Sequence, residues 1–155
     1  LEWRTVIEAF YATSAEVGAQ VFRLKRADFK PVINILVTRA PSPGGDPRFI
    51  IRGQSFDRGA HPVGPVLATA GTNWRSPVFA DIYVNVDQRV RGRGYAKSTC
   101  SALCSWLLDM DTTPLYSVAE DNHPSVQLAL GLGFRPTGAL MFFGDGVWRN
   151  ASALG

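Results

Sequence analysis

Apolar positions recur along the chain with two different periods, and the changes of period mark most of its elements. Over residues 2–22, Val6, Ile7, Phe10 and Tyr11, then Val17, Val21 and Phe22, are spaced by three or four, which predicts a helix with a break near Ser14. Pro31 opens the β-branched run Val32-Ile33-Asn34-Ile35-Leu36-Val37, which predicts a buried strand. Residues 40–47 read as a surface loop, 49–54 as a second strand, 57–65 with its glycines and prolines as another loop, and 66–70 as a third strand.

From residue 79 the pattern sharpens. Residues 79–86 are β-branched and aromatic, a strand by composition, and they lead into the charged, glycine-bearing turn 87–96. Ala96, Cys100, Leu103, Leu107 and Met110 then line one face of a helix over 96–110, which Asp111-Thr112-Thr113-Pro114 stops. Residues 115–119 predict a short strand, and Asp121-Asn122-His123-Pro124-Ser125 a capping turn. A helix follows over 125–132, closed by Gly133. Residues 137–143 predict a strand that Gly144-Asp145-Gly146 folds back into Val147-Trp148-Arg149 as a hairpin, with a frayed tail from 151.

The composition narrows the class. With 155 residues and 46% hydrophobic residues the chain suits one domain with a real core. It has neither the apolar run of a membrane span nor a signal-peptide layout, so no membrane partner is expected. It begins at Leu1 rather than Met, as a trimmed or partial chain would. Cys100 and Cys104 lie four apart on one predicted helix and read as reduced core thiols of a cytoplasmic protein. His61 and His123 stand apart from any cysteine or carboxylate at ligand spacing, so no metal site is expected. A net charge of +3 is too small to imply nucleic-acid binding.

One charge cluster does change the picture. Arg89, Arg91 and Arg93 alternate just before a helix start, with Gly92 and Gly94 between and after them. A helix N-terminus leaves its first amides unpaired and carries partial positive charge, so a turn that gathers those amides makes an anion site. The spacing lacks the third glycine of a dinucleotide fingerprint, where Lys97 stands, and lacks the Gly-Lys-Ser/Thr of a P-loop.

Arg91-Gly92-Arg93-Gly94-Tyr95-Ala96 resembles the Arg/Gln-x-x-Gly-x-Gly/Ala motif of the GCN5-related N-acetyltransferases, the GNAT superfamily. Residues 82–86 resemble the strand that precedes that motif. A second stretch also fits: Asn122, Ser125 three residues on, and Gly133-Phe134 closing the helix. The resemblance covers residues 79–136 and is closest to the FR47-like subgroup. Residues 1–78 carry no match by motif, and an acceptor side built from a helix and strands is expected there.

The resemblance implies an α/β (α+β) GNAT fold: a mixed twisted sheet flanked by helices, in which strands 79–86 and 115–119 run parallel and splay apart around acetyl-CoA. It implies main-chain contacts from Val84 and Val86 to the pantetheine arm. A diphosphate would rest on Arg91, Gly92, Arg93, Gly94, Tyr95 and Ala96, Arg89 would either reach toward a further phosphate or stay solvated, and Asn122 and Ser125 would lie across the arm. The implied activity is direct acetyl transfer to an amine of a small molecule or protein, with the amide at or near Val84 stabilising the oxyanion and Asp81 as the base. Asp57 is a weaker candidate base. A homodimer is a state the family often adopts. One departure stands out: many members carry a Tyr seven residues after the motif Asn, where it protonates the leaving thiolate, and that position here is Ala129. The alternative it raises is a GNAT-fold acyl-CoA-binding domain without catalysis.

Overall fold

The computed structural model describes residues 8–53 and 64–148, and gives the backbone alone at 13–17, 142–146 and 148. The strands are β1 (Tyr11–Arg23), β2 (Thr38–Ala40), β3 (Arg48–Arg52), β4 (Val66–Arg75), β5 (Phe79–Val86), β6 (Thr113–Ala119) and β7 (Arg135–Trp148). The two long helices are α1 (Tyr95–Asp109) and α2 (His123–Leu132). The strands form one sheet in the order β2-β3-β4-β5-β6-β1-β7. β5 and β6 are parallel and every other neighbouring pair is antiparallel, so the sheet is mixed.

α1 forms where the sequence places small and apolar side chains at helical spacing. Ser98, Thr99, Cys100, Ser101, Leu103, Cys104, Leu107 and Leu108 are all buried. Of these, Cys100, Leu103, Cys104, Leu107 and Leu108 share one core with Ala70, Ala80 and Ile82 from β4 and β5 and with Phe22, Tyr116, Val118, Leu132 and Phe134. α2 starts at an Asn122 cap with Pro124 in its first turn and ends at Gly133, whose φ of 97° is the left-handed conformation glycine adopts without strain. A Cβ at Gly133 would run into the Asp28 carbonyl, so the same glycine lets the 24–30 segment close over the end of α2.

Three expectations are corrected. The helix expected over residues 2–22 is helical only at 8–10 among the described residues, and Tyr11–Arg23 is a strand. A register irregularity between Gln20 and Phe22 sets buried Ala19 and Phe22 three residues apart, which imitates a helical period inside a strand. The strand expected at Val32–Val37 is a loop laid across α1: the Val32 amide donates to Ser101 Oγ at 2.8 Å and Asn34 Nδ2 to Ser98 Oγ at 3.2 Å. Ile33 and Ile35 are left 93% and 94% exposed.

The expected hairpin at 144–146 does not turn, because β7 runs straight through it. Gly144, Asp145 and Gly146 pair with Glu16, Ala15 and Thr13 of β1, which fills the place the hairpin's second arm would have taken. The loop expected at 57–65 and the tail from 151 lie mostly or wholly outside the described residues, as do His61 and Asp57.

Candidate functional site

β5 and β6 pair over three rungs only, Phe79 with Thr113, Ala80 with Pro114 and Asp81 with Leu115. Past Asp81 they part, and a cavity of about 1080 Å³ opens between them. That is the upper end of the size range for small-molecule sites. The edge β5 turns toward the cavity follows from its register with β4. The Asp87 amide donates to the Leu67 carbonyl at 2.9 Å, and residue pairs up the ladder share that register. Antiparallel pairs alternate between bonded and non-bonded, so Asn85 and Tyr83 spend their amides and carbonyls on β4. Val84 and Val86 then point theirs the other way, into the gap, and both residues line it.

The mouth of the cavity is the turn before α1. Gly92 and Gly94 have φ of 79° and 76°, a conformation that costs other residues about 1 kcal/mol or more. A Cβ built on either glycine meets nothing within 4 Å, so both face open space. Gly94 caps α1 without any side-chain hydrogen bond, and the first turn holds no acidic residue. The first intrahelical bond is Ser98 N–H to Gly94 O at 3.0 Å. The amides of Tyr95, Ala96 and Lys97 therefore have no helical partner.

Arg91, Gly92, Gly94, Tyr95 and Ala96 line the cavity, whereas Arg93 and Arg89 do not. Arg89 is turned back onto Asp87, with Nε to Oδ1 at 3.0 Å and Nη2 to Oδ2 at 2.6 Å. That guanidinium hydrogen bond, joined by the Arg89 amide, lowers the Asp87 carboxyl to a pKa of about 2.

The opposite wall comes from α2 and β6. Asn122 and Ser125 both line the cavity, and Asn122 Oδ1 accepts the Ser125 amide at 3.2 Å as the helix cap. Lys97 and Tyr116 line it as well, and no sequence motif had singled them out. Lys97 carried a signal of its own, a cation in the first turn after a glycine-rich bend. Tyr116 carried none, since a buried tyrosine in a short strand reads as core.

The profile of the acetyltransferase (GNAT) family matches residues 32–134. The chain belongs to the GNAT acetyltransferase family. Solved structures agree in fold. A GNAT-family acetyltransferase from Novosphingobium aromaticivorans superposes with a TM-score of 0.72 at 14% identity, over 86% of this chain and 66% of that one. A GNAT-family acetyltransferase from Colwellia psychrerythraea gives 0.62 at 14%, over 94% and 61%. A GCN5-related N-acetyltransferase from Kribbella flavida gives 0.59 at 13%, over 93% and 63%. The chain thus spans a little under two thirds of the length of these proteins. No curated protein matches it.

The GNAT resemblance implies acetyl-CoA, and the residues present fit it. Unpaired amides with Arg91 and Lys97 suit a diphosphate, the open space over Gly92 and Gly94 gives it room, and the free edge at Val84 and Val86 suits an amide-bearing arm. Asp81 sits on the last paired rung, 6% exposed, outside the cavity lining. Its Oδ2 accepts from Asn73 Nδ2 at 2.7 Å and its Oδ1 from Ser117 Oγ at 3.0 Å. Asn73 is the residue β4 bulges out between Thr72 and Trp74, so the carboxylate ties the bulge to β6 across the apex of the gap.

Ala129, at the position of the GNAT tyrosine, is fully buried in the core. Cys100 and Cys104 are buried too, their sulfurs 4.0 Å apart, and neither lines the cavity; burial raises the Cys104 thiol well above its ordinary range. Trp106 packs under the guanidinium groups of Arg39 and Arg75, at 5.7 and 5.5 Å. Among the described residues no group of three or more metal-binding side chains gathers, and no helix is long and apolar enough to cross a membrane.

Proposed function

We propose that the protein is an N-acetyltransferase that moves an acetyl group from acetyl-CoA to an amine of a small molecule or protein by direct attack. The observation that carries this reading is the cavity between β5 and β6, which joins a free strand edge at Val84 and Val86 to the uncapped N-terminus of α1. Bound acetyl-CoA would supply an acyl thioester whose carbonyl carbon is open to an amine.

The chain's own groups do the rest. The amides of Tyr95, Ala96 and Lys97, with Arg91, hold the diphosphate. Val84 and Val86 align the arm as an added strand would, and the Val84 amide donates to the carbonyl oxygen as charge builds on it. Asp81, at the apex, accepts the amine's proton through Ser117 or a water, and Asp81→Asn would then slow transfer by about 100-fold while leaving CoA affinity in place. The resemblance to the FR47-like subgroup is compatible with this reading, and the free, buried thiols suit a cytoplasmic setting.

Ala129 favours one competing reading, a domain that binds acyl-CoA without turning it over. Incubating the protein with acetyl-CoA and a broad panel of amines, and following free thiol, separates the two. Thiol release that depends on an amine supports the transferase; CoA binding with no release above background supports the silent domain.

A further inference from the structure

We propose that Tyr116, on the strand wall of the cavity, is the proton donor to the leaving sulfur and takes over the work of the helix tyrosine whose position Ala129 fills. The inference rests on the acetyl-transfer reading. Four tyrosines fall among the described residues, and their places sort them. Tyr11 lies at the start of β1, outside the cavity lining. Tyr83 is folded over Gly71, where a Cβ would come 2.7 Å from its hydroxyl oxygen, and does not line the cavity. Tyr95 opens α1 at the diphosphate end. Tyr116 alone is both in the lining and next to the apex: it directly follows Leu115, the last β6 residue paired with β5.

The surroundings of Tyr116 fix its ring and tune its hydroxyl. It is 6% exposed and held from the β1 side by pairing with Phe22, and its ring meets Phe134 with centroids 6.2 Å apart. Ala129 of α2 belongs to the same core cluster. Ser125, in the first turn of α2, lines the same cavity.

The ionisable groups acting on it are Cys100 from α1 and Asp81 from β5. Burial first, then these two, raise its pKa above the ordinary phenol value, and Ser125 opposes them in part. The hydroxyl is thus protonated at neutral pH and has a proton to give. In the step, the C–N bond forms and the C–S bond breaks. The amine's proton leaves through the base to water, the Tyr116 proton passes to sulfur, and water restores the phenol. Atoms and charge balance without any further reactant.

The test needs no acceptor. The full chain is loaded with free CoA and the bound thiol is titrated by the ultraviolet absorbance of its thiolate, in the wild type and in Tyr116→Phe, with CoA affinity measured by calorimetry at a pH where the thiol is protonated. Tyr116 donating to sulfur predicts a bound thiol about tenfold or more acidic than the free one, a shift of about one pH unit that Tyr116→Phe abolishes while affinity holds. A bound thiol that titrates as free CoA does, or alike in both proteins, would overturn the assignment and leave the transferase reading standing. Failure of the wild type to bind CoA would remove both.

Discussion

The N-termini of α1 and α2 border the same cavity and are finished in opposite ways. α2 satisfies itself: Asn122 Oδ1 takes the Ser125 amide, and a proline sits in the first turn where an amide would otherwise be orphaned. α1 has a glycine cap, no side-chain bond, no acidic first-turn residue and two left-handed glycines facing open space. On the acetyl-CoA reading proposed above, the bare amides at the mouth of the cavity are the ones a ligand's diphosphate would take. On that reading the motif residues of α1 act by what they leave unsatisfied, and those of α2 first by what they hold in place.

Substitutions at the two ends should separate these roles. Gly94→Glu puts a carboxylate beside the bare amides. CoA affinity by calorimetry is expected to fall about 100-fold or more, from like-charge repulsion against the diphosphate, while the circular dichroism of the fold persists. Normal affinity in that variant would detach the turn from the site. Asn122→Ala is expected to act on stability instead, costing about 1 kcal/mol in a denaturant melt through the lost cap, with a smaller loss of CoA affinity than Gly94→Glu. The reverse order of effects would make Asn122 a ligand contact before a cap.

The smallest change is expected at Arg89, which is already engaged by Asp87. Arg89→Ala should alter CoA affinity by no more than about twofold at physiological salt. It should also release the Asp87 carboxyl toward its ordinary value. The sign follows from the depressed pKa: in the wild type the favourable pairing is complete above the usual carboxylate range and is lost as the pH falls through about 2. A side-chain carbon resonance of Asp87 that titrates at the same pH in both proteins would contradict the pairing.

The half of the molecule that holds these helices was the half legible in the sequence. The strand, turn and helix over 79–110 each satisfied their own local rules, with apolar faces at the right period, glycines where φ is positive and a stop signal after the helix. The other half was decided by its place in the sheet. Residues 11–23 share an apolar spacing that serves a helix or an irregular strand, and the slot between β6 and β7 chose the strand. Residues 32–37 have the composition of a strand, but the Val32 amide and the Asn34 side chain found hydroxyls on α1 instead of a sheet edge.

The same difference runs through the site. Arg91, Gly92, Gly94, Tyr95 and Ala96 were visible as a contiguous run and line the cavity, whereas Tyr116 becomes visible only when β6 is seen parting from β5. Arg93 shares the motif with Arg91, and Arg89 precedes it with its role open; only the fold of the turn shows Arg89 folded back on Asp87 and both of them outside the lining.

The most direct test of the central claim is a titration of nitrogen-labelled protein with CoA, followed by the backbone amide resonances. The account predicts that the largest shifts fall on the amides of residues 92–97, next on Val84 and Val86, and only then on Asn122 and Ser125. Saturable CoA binding whose largest shifts lie away from the α1 N-terminus and the β5 edge would contradict it.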